Sequence, residues 1–511
     1  MGSIAMPSSV DKLRSLLPAS EVFEQHQPEY KKQSEPWSVH ANQHPKVVVQ
    51  PTTLEGMQKV VKYLYNSDLD FAVRNTGTGS VSAKDVRNLT AQHVPDRDAS
   101  QLDAERTRSY PKEVILSTHG FKSFNFDRAT QTVTLGSGFD WGEIDKLMEE
   151  HAPGYAVVGA RCPWVGVAGS ALVGGLSWLS HEFGMISDPQ NFLDAQVVLH
   201  NGKVVWAAQD DPDLMWACRG GGGNYGVLTA LKFQAYPYPE KVFGGVLTVP
   251  YSSLQQCSKG VSAMAARTSD PKVAMHVINQ GPSMGMPEQG GKPGIAFMLY
   301  DARGEEHARS EDGFAWVFEL PGAQEISCAT CTLQQMHAVA ETFRDWQGNN
   351  LFWLCAPLVS DLDEEFMLRA WKWYEDSVKE YAGLGSGSIV LIEYMQLNAF
   401  NSSPSRTSTA WPHSGRRHVM QLALGCSPEG APSNLKEIVM KRFQVAEDEL
   451  AGSKKTGEYH AGFLHEWNDL KQVYGENYER LRELKKRFDP RNRFNKGVDL
   501  LGGKISEGAT L

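Results

Sequence analysis

Glycine gathers in three short stretches of this chain: Arg74-Asn75-Thr76-Gly77-Thr78-Gly79-Ser80, the run from Gly159 to Gly175, and Arg219 to Gly226. Loops of this kind present backbone N–H groups that can bind an anionic group. Without a Cβ, glycine also lets backbone lie close against a flat, phosphate-bearing ligand. Tight turns use glycine in the same way, so composition alone leaves both readings open. No stretch combines strand, GxGxxG and helix, and no GxxxxGK[ST] phosphate loop occurs.

A second set of residues has the chemistry for a reaction. Cys162 follows Arg161, and a neighbouring guanidinium favours thiolate, although a free cysteine is as readily a core residue. In SIVLIEYMQLN, residues 388 to 398, period two puts Tyr394, Gln396 and Asn398 on one face and Leu391, Met395 and Leu397 on the other. The polar face suits orientation of a polar substrate, or simply a wet strand face. Tyr394 is the expected proton acceptor, through a phenol whose pKa burial near a cation would alter. His413, His460 and His465 compete with it, each better explained by a structural role. Cys328-Ala-Thr-Cys331 has redox or zinc spacing but lacks a second ligand pair, and no metal site is expected.

The elements that must hold these residues are legible in outline. KVVVQP, TLEGMQKVVKYLYNS and DFAVRNTG read as strand, helix and strand, with Thr53 as N-cap and Met57, Val60, Val61 and Leu64 at helical spacing. Residues 114 to 137 read as two short strands around a turn, and DWGEIDKLMEE as a helix capped by Asp140. AQVVLHNGKVVWA reads as a hairpin turning on Asn201-Gly202. From about 240 alternating strands mix with amphipathic helices, and from about 455 aromatic, basic helical character returns. Residues 86 to 113 are polar, charged and aperiodic, and are expected to be a loop insertion.

Whole-chain properties limit the function classes. With 511 residues, 41% hydrophobic and 22% charged, the chain is long enough for two to four domains and ordinary for a globular protein. A net charge of −10 argues against general nucleic-acid binding, which needs a basic surface. Residues 162 to 180 are uncharged, but their glycines, serines and proline make a poor membrane span. The first residues lack the apolar run of a secretory signal, and seven cysteines do not suggest a disulfide framework. An intracellular, cytoplasmic monomer is expected.

Taken in order, FAVRNTGTGS, GYAVVGARCPWVGVAGSALVGGLSW, DPDLMWACRGGGGNYGVLT and YGENYERLRELKKRFDPRNRF resemble the flavin-linked oxidases of berberine bridge enzyme type, particularly fungal secondary-metabolism members. The resemblance implies an α+β protein of the vanillyl-alcohol-oxidase fold. Its two-part, PCMH-type FAD-binding domain would comprise 1–238 and 456–511, with an α+β substrate domain on an antiparallel sheet inserted at 239–455. It implies a flavoprotein oxidase of a small organic metabolite, passing hydride to flavin N5 and then electrons to O2, giving H2O2. A redox-neutral cyclase or isomerase using the same pocket is the alternative.

Carried over residue by residue, the resemblance makes Arg74, Asn75, Thr76, Gly77, Thr78 and Gly79 the first cofactor loop. Cys162, Val165, Gly166, Gly169, Gly174 and Gly175 form the second. Gly226 and Val227 close the third, and Asn477 and Asn492 come from the C-terminal segment. Thr78 stands where the family commonly links a histidine to the flavin. A hydroxyl without a neighbouring base is a poor nucleophile, so FAD is expected to be non-covalent, with a cysteinyl link at Cys162 as the alternative. The plant members' carboxylate base is absent near SPSRTSTAWPH, where Arg406 stands, unless Glu393 serves. The family's N-Y-A-D segment is replaced by His460 to His465.

Overall fold

The computed structural model describes residues 8–41, 44–79, 113–267, 270–280, 293–394, 400, 405–413, 415, 417–465 and 467–501. The expected insertion at 86–113 lies outside these residues except for Glu113, as do Gln396 and Asn398.

Three sheets organise the chain. The first is four-stranded, in the order Val22–Glu24, Val47–Val49, Val114–Ser117, Phe71–Arg74, and its last three strands run parallel. The helix Leu54–Asn66 connects Val47–Val49 to Phe71–Arg74, the two parallel strands that flank Val114–Ser117. It begins where expected, because the Thr53 side chain accepts from the Gly56 N–H at 3.1 Å. Its Met57, Val60, Val61 and Leu64 are buried against the sheet residues Val47, Val49 and Val114.

The second sheet is antiparallel, in the order Phe124–Asp127, Thr132–Gly136, Val227–Pro237, Phe192–Val198, Val204–Trp206, and Tyr155–Val157 pairs with Val227–Pro237 as well. The hairpin at Asn201-Gly202 is present, with Gly202 at φ +84°. Residues 114 to 137 depart from expectation. Val114–Ser117 belongs to the first sheet, while Thr132–Gly136 pairs with an additional strand, Phe124–Asp127, in the second. Helix Trp141–His151 is held by a capping box between Asp140 and Glu143.

The third sheet takes ten strands from Val242 through Tyr459. Its centre runs Val242–Val249, Gly294–Asp301, Val273–Gln280, Ile389–Tyr394, His418–Cys426, with every pairing antiparallel. The last strand, Lys455–Tyr459, runs past the expected boundary at 455. Helices Leu254–Ala266, Phe366–Glu380 and Leu435–Ala451 pack together on this part of the chain. Among the described residues, no helix is long and apolar enough to cross a membrane. The uncharged stretch after Arg161 contains only the short helices Val167–Leu172 and, at its end, Ser180–Phe183.

Candidate functional site

The three glycine loops meet. Gly77 has φ +78°, and a Cβ there would stand 2.4 Å from the Arg74 guanidinium, so only glycine fits. Arg74 itself is buried and donates to the carbonyls of Lys32, Glu35 and Thr76, at 3.2, 2.8 and 3.0 Å. Its role is to shape the loop from inside. Asn75 donates to the Ser137 carbonyl at 2.8 Å, and a Cβ at Gly166 would collide with its Oδ1 at 1.7 Å. The first loop therefore lies directly against the second. The second reaches the third through the Gly222 N–H, which donates to the Leu172 carbonyl at 2.8 Å.

These loops suit a flat ligand that needs close backbone approach. Among the described residues, nothing lies within 4 Å of a Cβ built on Gly79, Gly169 or Gly223. Asn75 Oδ1, Ser137 Oγ, His460 Nε2 and Asn492 Oδ1 are buried without a hydrogen-bond partner among the described residues, which is costly unless a ligand completes them. His460 has a defined tautomer. The Gly462 N–H donates to its Nδ1 at 3.0 Å, and burial lowers its pKa to about 3, so the neutral ring carries its proton on Nε2. That unpaired donor is 3.5 Å from a Cβ built on Gly174. The residues present fit FAD.

Other expected cofactor residues act indirectly. Gly174 and Gly220, at φ +106° and +104°, both press against Trp411, while Gly175 backs onto Ile186 and Gly226 onto Val197 and Val198. Val227 is buried and pairs with Val198. The Asn477 amide donates to the carbonyls of Arg406, Thr409 and Ala410, at 2.9, 2.9 and 3.3 Å, which fixes the loop that presents Trp411. Asn492 takes φ +49° and donates to Asp499 at 3.0 Å. Thr78 has the Thr76 hydroxyl 3.4 Å away.

Cys162 and Val165 pack beside Trp164, Phe352 and Ile389. Arg161 does not activate the thiol as its sequence neighbourhood suggests. Burial pushes the Cys162 thiol up to about 11, against the opposing pull of Arg161. The guanidinium crosses instead to the third sheet, where Nη2 donates to Glu393 Oε1 at 2.5 Å.

That contact reveals which face of Ile389–Tyr394 meets the glycine loops. Glu393, Leu391 and Ile389 share it with His276 and Gln421 of the neighbouring strands. Tyr394 is on the opposite face, where its hydroxyl donates to the Met264 carbonyl of helix Leu254–Ala266 at 2.6 Å. Of the residues in that alternation only Leu391 and Tyr394 are described; they take opposite faces, and Tyr394 is on the side that helix Leu254–Ala266 covers. Tyr394 is thus corrected from proton acceptor to packing residue.

Glu393 is completely buried, and its pKa is raised to about 7 by desolvation, against the pull of Arg161 and the Gln421 amide. Gln421 Nε2 donates to the same Oε1 at 2.5 Å, leaving Oε2 with no partner. His276 Nε2 lies 3.9 Å from Oε2, too far for a hydrogen bond, and its ring stacks on Trp178 at 4.1 Å. Burial holds His276 well below the ordinary histidine pKa, so it is neutral. No sequence pattern could have assembled this cluster, because its members come from a loop and three strands far apart in the chain.

His413 pairs with Asp188 at 2.7 Å, both side chains fully buried, and its Nδ1 faces the Trp411 carbonyl at 2.9 Å. His465 Nε2 is 2.6 Å from the Leu354 carbonyl. Arg406, at the plant base position, is tied to Glu458 and Glu476, both at 3.2 Å. Among the described residues no cluster suits a metal, and all seven cysteines are free.

A family model described as FAD binding domain matches residues 101–208, and one described as berberine and berberine like matches 458–497. In these two stretches the chain is similar to FAD-linked oxidoreductases of berberine bridge enzyme type. Among its relatives, (R)-6-hydroxynicotine oxidase of Paenarthrobacter nicotinovorans is 29% identical over 213 residues, covering 42% of this chain and 40% of that one. The chain thus matches well under half the length of that curated relative. The FAD-linked oxidoreductase iacH of Pestalotiopsis fici is 23% identical over 492 residues, covering 92% and 86%. The solved 6-hydroxy-D-nicotine oxidase of Arthrobacter nicotinovorans superimposes with a TM-score of 0.73 at 20% identity, over 98% of this chain and 99% of that one. The fold is that of the vanillyl-alcohol-oxidase flavoproteins.

Proposed function

We propose that this chain is an FAD-dependent oxidase of a small organic metabolite, working as a monomer with dioxygen as electron acceptor and H2O2 as product. The observation that carries the reading is the Arg161–Glu393 contact. It joins the glycine loop suited to FAD to a sheet face bearing buried polar groups with unused hydrogen-bonding capacity. When bound, the flavin supplies a hydride acceptor at N5. The protein's part is to cradle the cofactor on the loops at 74–79, 159–175 and 220–226 and to orient the substrate from the sheet. Buried rings pack beside these groups, Trp178 on His276 with Tyr300 behind it and Trp411 on His460, and such apolar surface excludes water. We assign 1–238 and 456–511 to the cofactor domain and 239–455 to the substrate domain, with the strand Lys455–Tyr459 shared across the second boundary.

A redox-neutral cyclase or isomerase remains the second reading, favoured by one observation. Arg406, ion-paired to Glu458 and Glu476, stands where the plant members place a carboxylate base. A shaped pocket can promote such a reaction by positioning alone. Anaerobic mixing of holoenzyme with a panel of pathway intermediates separates the two. The oxidase reading requires bleaching of the oxidised flavin band by the compound that is consumed. Conversion of a compound with the band unchanged establishes the alternative.

A further inference from the structure

The imidazole of His460 is fixed at every point but one. The backbone N–H of His460 donates to the Ala356 carbonyl at 2.9 Å, and Nδ1 accepts from the Gly462 N–H at 3.0 Å. The ring packs against Trp411 and Phe463, with centroids 4.8 and 5.1 Å away. A Cβ on Gly462 would stand 3.2 Å from Nδ1 and 3.0 Å from Val173, so a side chain there would crowd the ring. Because Nδ1 is an acceptor, the neutral ring carries its proton on Nε2. Burial, with the charges of Arg161 and His413 acting in the same direction, lowers the pKa to about 3 and keeps the ring neutral. Nε2 is thus a donor, buried and without a hydrogen-bond partner among the described residues.

Where that donor stands narrows what can complete it. Nε2 is 3.5 Å from a Cβ built on Gly174 in the second glycine loop, and the same Cβ would strike the Trp411 ring at 2.8 Å. The φ of Gly174, +106°, disfavours a side chain as well. The donor therefore lies against the backbone of a loop suited to FAD. A lone water needs several polar partners, and the rings of Trp411 and Phe463 beside the imidazole supply none for it. A flavin ring, by contrast, carries carbonyl oxygens and unprotonated nitrogens along its pyrimidine and central rings.

We propose that the Nε2–H of His460 donates a hydrogen bond to one of these flavin acceptors and so makes the bound flavin easier to reduce. This rests on the FAD reading of the same loops. Electron density at the acceptor atoms rises when a flavin is reduced, and a hydrogen bond to a charged acceptor is roughly twice as strong as one to a neutral acceptor. A donor held in place beforehand therefore favours the reduced form. Being neutral, the imidazole does this without placing another cation near Arg161.

The midpoint potential of FAD holoenzyme, measured anaerobically by equilibration with a reference dye, tests this without any substrate. His460→Phe fills the site with a ring that has no donor, and His460→Gln offers an amide N–H in its place. Against the dye, His460→Phe should shift the ratio of reduced to oxidised flavin at least tenfold toward the oxidised form, about 30 mV for a two-electron couple. His460→Gln should recover most of that shift, which a role in packing alone would not produce. If His460→Phe does not hold FAD, wild type carrying isotope-labelled histidine decides. Its Nε2–H signal, assigned by its loss in His460→Gln, should move downfield in NMR spectra when the flavin is reduced. The proposal is overturned if wild type and His460→Phe share one midpoint, if His460→Gln lies as low as His460→Phe, or if the signal does not move downfield. Protein that takes up no FAD would fail the cofactor reading instead, so the two failures are distinguishable.

Discussion

Arg161 illustrates how a neighbour in sequence differs from a neighbour in space. Next to Cys162 in the chain, it looks placed to make a thiolate, yet its charge is committed to Glu393 and burial keeps the thiol protonated. A neutral thiol is a poor nucleophile, and among the described residues Thr78 has the Thr76 hydroxyl beside it. Acid precipitation should therefore release FAD to the supernatant from both wild type and Cys162→Ala. A yellow wild-type pellet that turns colourless in Cys162→Ala would show a cysteinyl link instead. Val165, half-buried beside Cys162 and Ile389, is in the second glycine loop, where a larger side chain would fill space that dioxygen needs to approach a bound flavin. Adding one methylene there in Val165→Leu should slow flavin reoxidation at least tenfold while sparing reduction by substrate. Equal reoxidation rates in stopped flow would remove Val165 from that role.

At the scale of elements, the glycine loops depend on contacts that a side chain would break. Gly166→Ala drives a methyl into Asn75 Oδ1 and should separate the first two loops. Overpacking of this kind costs about 1–3 kcal/mol. The expected result is a lowered thermal midpoint together with weakened FAD binding, whereas Gly169→Ala, whose Cβ meets nothing, should leave apo-protein stability unchanged. The loop carrying Trp411 depends on Asn477 in the same way. Asn477→Ala leaves three carbonyls without their donor. It should cost on the order of 1–3 kcal/mol in chemical denaturation.

Local signals read these elements well. The caps at Thr53 and Asp140, the Asn201-Gly202 turn and the glycine loops all follow from chemistry within a few residues. The face of Ile389–Tyr394 was not legible. Alternation divides a strand into two sides, and only the packing of helix Leu254–Ala266 over Tyr394 decides which side is covered. The Glu393 cluster was equally hidden, since a loop and three strands bring it together.

Across the whole molecule, the buried His413–Asp188 pair connects the loop before the strand His418–Cys426 to the segment preceding the strand Phe192–Val198. Burial alone would lower the His413 pKa, but the Asp188 carboxylate outweighs it and the pKa is raised. A raised folded-state pKa gives stability that is fully present below the unfolded value, near 6.5, and lost as pH rises through the folded value. The stability advantage of wild type over His413→Gln should therefore be greatest in mild acid and shrink at alkaline pH. An advantage independent of pH would mean that the pair acts through packing rather than charge.

The oxidase reading makes a demand that needs no knowledge of the substrate. Holoenzyme photoreduced under anaerobic conditions is mixed with air-saturated buffer while flavin absorbance and H2O2 are followed together. Reoxidation within seconds is expected, with about one H2O2 for each flavin reoxidised. Flavin that stays reduced for many minutes in air, with no peroxide formed, would contradict it.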